Sequence, residues 1–210
     1  MHRINILLFP LPGTKNFTFE ITQPVIMLQL NFSPFPTLAT ERLILKKITH
    51  DDAAEIFYQR SDPGIMKYVD RPPAQTLEDA HAFIDMITKN LDDNNSISWG
   101  IQLKGSDRLI GNIALWRIEK ENHRAEIGYC LHPAEQGKGY MNETLRAVAH
   151  YGFGTMRLHS IEANINPENL ASQKALERIG FVREAYFTEN YYYDGRYIDS
   201  AIYSLLTPHR

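Results

Sequence analysis

A glycine-rich turn joins an apolar strand pattern to a long helix pattern, and this junction constrains the fold of the chain more than any other feature. The turn reads Gln136-Gly137-Lys138-Gly139-Tyr140-Met141. It follows the strand pattern Ala125–Leu131 and precedes a helix pattern that ends near Phe153. Glycines let a backbone approach a ligand closely, and the first N–H groups of a helix have no partner within it. These groups lie at the positive end of the helix dipole, so the junction suits an anion such as a pyrophosphate, and Lys138 adds a charge.

The turn matches neither of the two common nucleotide loops. The chain contains no G-x-x-x-x-G-K-[ST] run and no G-x-G-x-x-G run. A phosphate bound here would therefore belong to a ligand other than ATP on a P-loop or a dinucleotide on a Rossmann fold. Many strand-turn-helix junctions with two glycines bind nothing, so this segment alone leaves both interpretations open.

Composition narrows the class of protein. The 210 residues fit one domain, and 43% apolar residues suffice for a sizeable core. A formal charge of -3 gives no global basic field, and the aromatic residues are not interleaved with a basic stripe, so we expect no nucleic-acid partner. The single cysteine, Cys130, suits a reducing cytoplasm, and its apolar strand favours a buried thiol over a nucleophile. The eight histidines show no metal-ligand spacing, so we expect no metal.

The first 38 residues differ in texture from the rest of the chain. They hold five of the eleven prolines and show no clear periodicity. The apolar run from Ile4 to Leu11 is shorter than the roughly 20 residues of a membrane span, and it resembles a signal peptide only poorly. We therefore predict no membrane partner. We expect an N-terminal extension over residues 1–38, possessing little order, with Met27 as an alternative start, and one domain over residues 39–210.

Periodicity predicts a mixed α/β fold. Alternating patterns predict strands, and three-to-four spacing with capping residues predicts helices. The predicted strands are Arg42–Ile48, Ser96–Leu103, Leu109–Ile118, Ala125–Leu131, Leu158–Asn164, Phe181–Asn190 and Tyr197–Leu206. The predicted helices are Ala53–Gln59, Leu77–Leu91, Met141–Phe153 and Asn169–Ile179. This order indicates a mixed sheet flanked by helices rather than a regular βαβ repeat.

Four pieces of the chain, in this order, resemble the GNAT superfamily of N-acetyltransferases over about residues 38–206. They are Thr40–Leu45, then Ile110–Ile113 with Ala125–Tyr129, then the glycine turn, and finally Asn169–Ser172 with Glu177–Phe181. The turn looks like the acetyl-CoA signature Q/R-x-x-G-x-G/A, although Met141 stands where the family usually has Gly or Ala. The change keeps the backbone N–H but puts a bulkier side chain at the approach. The pieces look most like the branch that acetylates N-termini of ribosomal proteins.

This resemblance implies a central, mostly antiparallel sheet with a splayed parallel strand pair, and acetyl-CoA as co-substrate. It implies that backbone amides of the turn wrap the pyrophosphate and that Gln136 shapes the turn. It also implies that the open strand pairs with pantetheine and that a residue at the start of the next helix contacts the cofactor arm. The amides are those of Gly137, Lys138, Gly139, Tyr140 and Met141; the open strand is Tyr129, Cys130 and Leu131; the helix-start residue is Asn169.

Two residues are candidates for the chemistry, in which an amine loses a proton and a thiolate leaving group gains one. Glu126 lies on a half-buried strand, on the same face as Gly128, where burial raises the pKa of a carboxyl as a general base requires. The alternative is a surface glutamate paired with Arg124 or Arg117. The resemblance makes Ser172 the candidate general acid, because the helix after the fifth strand has no tyrosine; the alternative is an ordinary first-turn serine or a capping group.

The acceptor stays open. The resemblance implies a primary amine, in the first place the N-terminal α-amine of a protein such as a ribosomal protein. The alternatives are a small amine (an aminoglycoside or a polyamine) and a non-catalytic CoA-binding module. Asp62, Asp70 and Arg71 lie in the loop region where the family builds its acceptor site, while Tyr191–Tyr193 either line that pocket or pack on a sheet edge. The sequence leaves both a monomer and a homodimer open.

Overall fold

The computed structural model describes residues 28–207. Within that range the strands are β1 (Leu38–Ala39), β2 (Leu43–Lys47), β3 (Ile97–Leu103), β4 (Leu109–Glu119), β5 (Arg124–Leu131), β6 (Ser160–Ile165), β7 (Val182–Tyr193) and β8 (Arg196–Leu206). The helices are α1 (Ala53–Ser61), α2 (Pro63–Met66), α3 (Leu77–Asp92), α4 (Tyr140–Gly154) and α5 (Leu170–Arg178). In this part of the chain no helix is both long and apolar enough to cross a membrane.

The strands form one sheet in the order β1-β2-β3-β4-β5-β6-β8-β7. Neighbours run antiparallel except β5 and β6, which run parallel. The predicted α/β class, with a mostly antiparallel sheet and one parallel pair, is confirmed. Because β5 and β6 are parallel, the chain must cross over between them, and it does so through α4. The glycine turn lies in this crossover, between the end of β5 and the start of α4.

Local residue chemistry fixes where the helices begin and end. The Thr76 hydroxyl accepts the N–H of Asp79, and the Asp79 carboxylate accepts the N–H of Thr76, which forms a capping box at the start of α3. Helix α1 ends before Asp62, as predicted. The chain then continues into the short helix α2, which the sequence analysis missed, because the Asp62 carboxylate caps it by accepting the N–H of Gly64 at 2.9 Å.

The sheet separates two apolar cores. The larger core lies on the face covered by α4 and α5 and includes Leu115, Leu145 and Val148, each fully buried. The smaller core lies under α1 and α3 and includes Ile56 and Ile84. Residues on opposite faces of β4 and β5 therefore contact different helices.

The segment before β1 contributes to the larger core. Leu28 and Phe32 are buried there although residues 28–37 form no helix or strand. Residues 1–27, which make up most of the predicted extension, lie outside the described residues. The domain boundary near residue 38 therefore stays a prediction.

Candidate active site

The parallel strands separate partway along their length. The pairing of β5 with β6 runs from Arg124–Ser160 to Glu126–Glu162 and ends there. On its other edge, β5 stays paired with β4 as far as Leu131. The β6-facing edge of β5 is therefore open after Glu126, which is the splayed pair that the sequence analysis expected. Tyr129, Cys130 and Leu131 lie on this open stretch.

The glycine turn presents a row of backbone donors. Gly137 and Gly139 have φ of +76° and +84°, a left-handed conformation that L side chains rarely adopt. Gly139 is the N-cap of α4 and offers no side chain to cap it. Among the described residues, no protein acceptor lies within hydrogen-bond distance of the N–H groups from Gly137 to Met141. Successive unpartnered amides at a helix N-terminus fit an anion such as a diphosphate.

Two side chains hold the turn. The Gln136 side-chain amide donates to the carbonyl of Leu131 at 3.2 Å, which ties the turn to the end of β5. The Lys138 ammonium pairs with Glu135 at 2.9 Å, so its charge is partly neutralised. The prediction that Gln136 shapes the turn agrees with this contact, whereas its role in cofactor binding stays a prediction.

An arginine from the start of β2 reaches the same turn. The Arg42 guanidinium donates to the carbonyl of Lys138 at 3.0 Å and lies over the ring of Tyr140, with 4.6 Å from Cζ to the ring centroid. It also pairs with the Glu143 carboxylate at 2.7 Å, and these contacts raise the pKa of Arg42. Glu143 further accepts the Thr40 hydroxyl and the Arg42 N–H. This Arg42–Glu143 clamp, absent from the sequence-based site, joins the sheet edge to the first turn of α4.

The structure places Glu126 at the fork between β5 and β6. It is 9% exposed, on the same sheet face as Gly128, and its carboxylate accepts the Arg117 guanidinium at 2.9 Å. The alternative interpretation, a surface glutamate paired with Arg124 or Arg117, is wrong about exposure because Glu126 is buried. Its ion pair with Arg117 is confirmed, whereas Arg124 pairs with Glu162. Trp116, opposite Glu126 in register, is exposed and its ring lies under the Arg117 guanidinium, whereas Trp99 is fully buried in the core.

Burial sets the protonation behaviour of Glu126. Loss of solvent raises the pKa of this carboxyl above its usual value, and the Arg117 charge and hydrogen bond offset part of that effect. Glu162, across the parallel pair, adds a smaller effect in the raising direction. A carboxyl of this kind ionises at higher pH than an exposed glutamate and accepts a proton more readily at neutral pH.

Ser172 and Tyr129 meet across the opening. The two hydroxyl oxygens are 2.7 Å apart, and either hydroxyl can donate. Burial raises the pKa of Tyr129 to about 12, against the smaller lowering effect of Ser172, so the phenol keeps its proton at neutral pH. The cap of α5 is Asn169, whose side chain accepts the N–H of Ser172 at 3.1 Å. The capping alternative for Ser172 is therefore wrong, whereas Ser172 does lie in the first turn of α5. Its role as general acid and the contact of Asn169 with a cofactor stay predictions.

The Cys130 thiol contacts Asn112 of β4 and Gln59 of α1. It lies on the β5 face that carries Glu126 and Gly128, with the Asn112 side-chain N–H 3.2 Å from its sulfur. Burial raises the pKa of Cys130 to about 11, so the thiol is protonated and a weak nucleophile at neutral pH, as the sequence indicated. Only the backbone of Cys130 remains a candidate for pantetheine pairing.

The Tyr-rich run lies on an edge strand. Tyr191 and Tyr192 are exposed on β7, and the Tyr191 hydroxyl donates to the carbonyl of Asp70 at 3.4 Å. This contact brings the β7–β8 hairpin to the loop between α2 and α3. In the described part of the chain, no group of three or more His, Cys, Asp or Glu side chains could hold a metal ion.

Known proteins resemble this chain in sequence and fold. The sequence model of the acetyltransferase (GNAT) domain matches residues 42–182, more than half of the chain. The N-acetyltransferase p20 of Bacillus licheniformis is 36% identical over 170 residues, which cover 81% of this chain and 96% of that protein. The crystal structure of a GNAT-family acetyltransferase from Bacillus anthracis superposes with a TM-score of 0.73 at 31% identity, covering 81% of this chain and 98% of that one.

Two more distant relatives have named acceptors. The ribosomal protein uS5-alanine N-acetyltransferase of Escherichia coli is 26% identical over 184 residues, 83% of this chain and 93% of that protein. The spermidine N-acetyltransferase of Vibrio cholerae, solved with CoA and spermine, superposes with a TM-score of 0.69 at 25% identity, covering 78% of this chain and 95% of that one. The extent of these matches and the open turn beside the splayed strands lead to one conclusion: the chain belongs to the GNAT family of N-acetyltransferases and is an acetyl-CoA-dependent acyltransferase.

Proposed function

We propose that this protein acetylates the N-terminal α-amine of a protein or peptide by direct transfer from acetyl-CoA. The observation that carries the proposal is the position of Glu126, a buried carboxylate at the point where β5 and β6 separate. Acetyl-CoA, when bound, supplies the activated acetyl group. The amides from Gly137 to Met141 bind its diphosphate, and the open edge of β5 from Tyr129 to Leu131 binds its pantetheine arm.

The residues of the chain divide the proton transfers between them. Glu126 removes a proton from the acceptor ammonium, directly or through a water, and Arg117 keeps the carboxylate oriented. The Ser172 hydroxyl holds the proton that the leaving sulfur needs, and the hydrogen bond with Tyr129 fixes its position. The ammonium loses two protons as the C–N bond forms and the C–S bond breaks: Glu126 takes the first and passes it to solvent, and the second restores the hydroxyl proton that Ser172 gives to the sulfur. The reaction therefore requires no covalent enzyme intermediate.

The charge around Glu126 favours an α-amine over a polyamine. An α-amino group has a pKa of about 8, whereas a lysine-like amine has a pKa of about 10.4, so a modest base suffices for the former. The Arg117 guanidinium is 64% exposed beside the base and repels a substrate with several positive charges. The relative from Vibrio cholerae keeps a small polyamine as the second candidate acceptor. A non-catalytic CoA-binding module receives no support from the buried Glu126.

A product screen tests the proposal. The purified protein is incubated with acetyl-CoA and, separately, a library of peptides with free N-termini, the same library with blocked N-termini, spermidine and an aminoglycoside, and the products are identified by mass spectrometry. We expect acetylation of the free N-termini, at a rate well above that of lysine side chains in the blocked library. Exclusive acetylation of spermidine or the aminoglycoside would refute the peptide acceptor but keep the enzyme class.

A further inference from the structure

Two arginines beside the candidate acceptor site have no carboxylate partner. Among the described residues, neither Arg60, at the end of α1, nor Arg71, in the loop before α3, forms an ion pair. Arg60 is half-buried, and its Nε is buried without a hydrogen-bond partner. Arg71 is exposed. Unpaired charge in a partly buried position is costly, and it is typical of sites that bind an ion of opposite sign.

The nearest acidic groups do not neutralise this charge. Loss of solvent lowers the pKa of Arg60 and the Arg71 charge lowers it further, while the Asp79 charge offsets only part of this lowering. The Asp79 carboxylate is committed to the cap of α3, where it accepts N–H groups from Gln75 and Thr76. Burial raises the pKa of the Asp70 carboxyl, and the nearby charge that offsets part of this rise is that of Arg196 rather than that of Arg71.

A buried amide lies next to the arginines. Gln59 is 2% exposed; its side-chain carbonyl accepts from Asn112 at 2.7 Å and lies 3.6 Å from the Cys130 sulfur. Its side-chain nitrogen is buried and has no hydrogen-bond partner. The ring of Phe83 holds the Arg60 guanidinium, with 4.1 Å from Cζ to the ring centroid. We call these three residues, Gln59, Arg60 and Arg71, the basic cluster. They carry hydrogen-bond donors without a partner in the protein, and packing holds two of them, Gln59 and Arg60, in place.

The basic cluster and the candidate base share one face of β5. Cys130, which contacts Gln59 of α1, and Glu126 lie on the same face of β5 because side chains alternate along a strand. Cys130 follows Glu126 by four residues, about 14 Å at ~3.4 Å per residue. An extended peptide advances about 3.3–3.6 Å per residue. A peptide whose α-amine is at Glu126 therefore brings its third to fifth residue near the cluster.

From this geometry, and resting on the proposed function, we infer that the basic cluster is an acceptor subsite that binds a carboxylate on about the third to fifth residue of the peptide. The preferred acceptor is thus a protein N-terminus with an Asp or Glu shortly after its first residue. Guanidinium groups bind carboxylates with paired hydrogen bonds, which gives geometric as well as charge selectivity. The same charge disfavours a polycationic acceptor.

The test is a library of peptides with free N-termini and seven randomised positions, acetylated by the protein and sequenced by mass spectrometry. The wild-type protein should enrich acidic residues at positions 3–5 of the products about tenfold, the effect of a hydrogen bond to a charged group. The variants Arg60→Gln and Arg71→Gln should lose this enrichment while keeping their affinity for acetyl-CoA. The control Arg108→Gln removes an equal charge that already pairs with Glu55 on α1, and it should keep the enrichment.

The outcomes separate this inference from the proposed function. Acetylated peptides without acidic enrichment would overturn the subsite and leave N-terminal acetylation intact. An absence of acetylated peptides would refute the proposed function and the subsite together. If Arg60→Gln fails to fold, the exposed Arg71→Gln decides alone, because unchanged enrichment in a variant that still binds acetyl-CoA contradicts the inference.

Discussion

Replacement of Glu126 by glutamine removes the proposed base with little change in shape. The substituted side chain still offers an amide oxygen to Arg117, so the variant loses the capacity to take a proton rather than the contact itself. General-base catalysis contributes about 10²–10⁴-fold. We expect kcat at pH 7.5 to fall about 100-fold, which corresponds to ~2.7 kcal/mol of transition-state stabilisation. The affinity for acetyl-CoA should not change, because the glycine turn does not contact this side chain.

Stability supplies an internal check on this variant. Burial raises the pKa of Glu126 in the folded protein, so ionisation of this group costs stability above that pKa and costs nothing below the ordinary glutamate pKa. Glutamine removes this cost at neutral pH. Loss of the ion pair with Arg117, whose side chain is 64% exposed, lowers the free energy of unfolding by about 0–1 kcal/mol. The two effects oppose each other, so we expect a change in Tm of about 4 °C or less. A large loss of activity then reflects chemistry.

The assay measures initial rates with a peptide acceptor between pH 5 and 8.5. The ratio of wild-type to Glu126→Gln activity should be largest near neutral pH and should shrink as the pH falls, because the wild-type carboxyl then takes up a proton at a higher pH than an exposed glutamate does. The matched control is Glu162→Gln, since Glu162 lies opposite in register on β6 and pairs with Arg124. Equal activity of the two variants, or a ratio independent of pH, would refute the assignment of Glu126 as base.

Three further perturbations test the rest of the site. Gly139→Ala places a side chain at φ +84° and should weaken acetyl-CoA binding, measured by calorimetry. The control Gly105→Ala, at φ +81° in a hairpin turn, should lose a similar ~1–2 kcal/mol of stability but keep its affinity for acetyl-CoA. Equal affinities of the two variants would contradict the role of the turn. Tyr129→Phe should lower kcat about tenfold without changing KM for the acceptor, and Ser172→Ala should lower it at least as much; full activity of both would remove them from the proton path. Arg42→Ala should raise the Kd for CoA several-fold while leaving the acceptor KM unchanged, and an unchanged Kd would show that the clamp is only structural.

Local patterns predicted most of the fold because most of its elements depend on local chemistry. Helix α3 was expected over Leu77–Leu91 and spans Leu77–Asp92, since the capping box at Thr76 fixes its start. The glycine turn was likewise expected, because a strand, two glycines and a helix occur in direct succession. The opening of β5 was expected only from the resemblance to the GNAT superfamily. Helix α2 was missed because a four-residue helix has no periodicity to detect.

Contacts between distant segments could not be predicted. Strict alternation would place Arg117 on the face opposite Trp116, yet β4 carries a bulge between Trp116 and Glu119, and Arg117, with φ of +46°, meets Glu126. Arg42 and Glu143 are 101 residues apart and meet only because β2 and α4 are neighbours in the fold. Spacing in the sequence carries no signal for either pair.

Backbone amide NMR tests the central claim most directly, namely that the amides of the glycine turn bind the diphosphate of CoA. A ¹⁵N-labelled sample is titrated with CoA, and the amide shifts are followed to saturation. We expect the largest changes at Gly137, Lys138, Gly139, Tyr140 and Met141, with little change at Gly105. Saturation with those five amides unmoved would contradict the account, because the cofactor would then bind elsewhere.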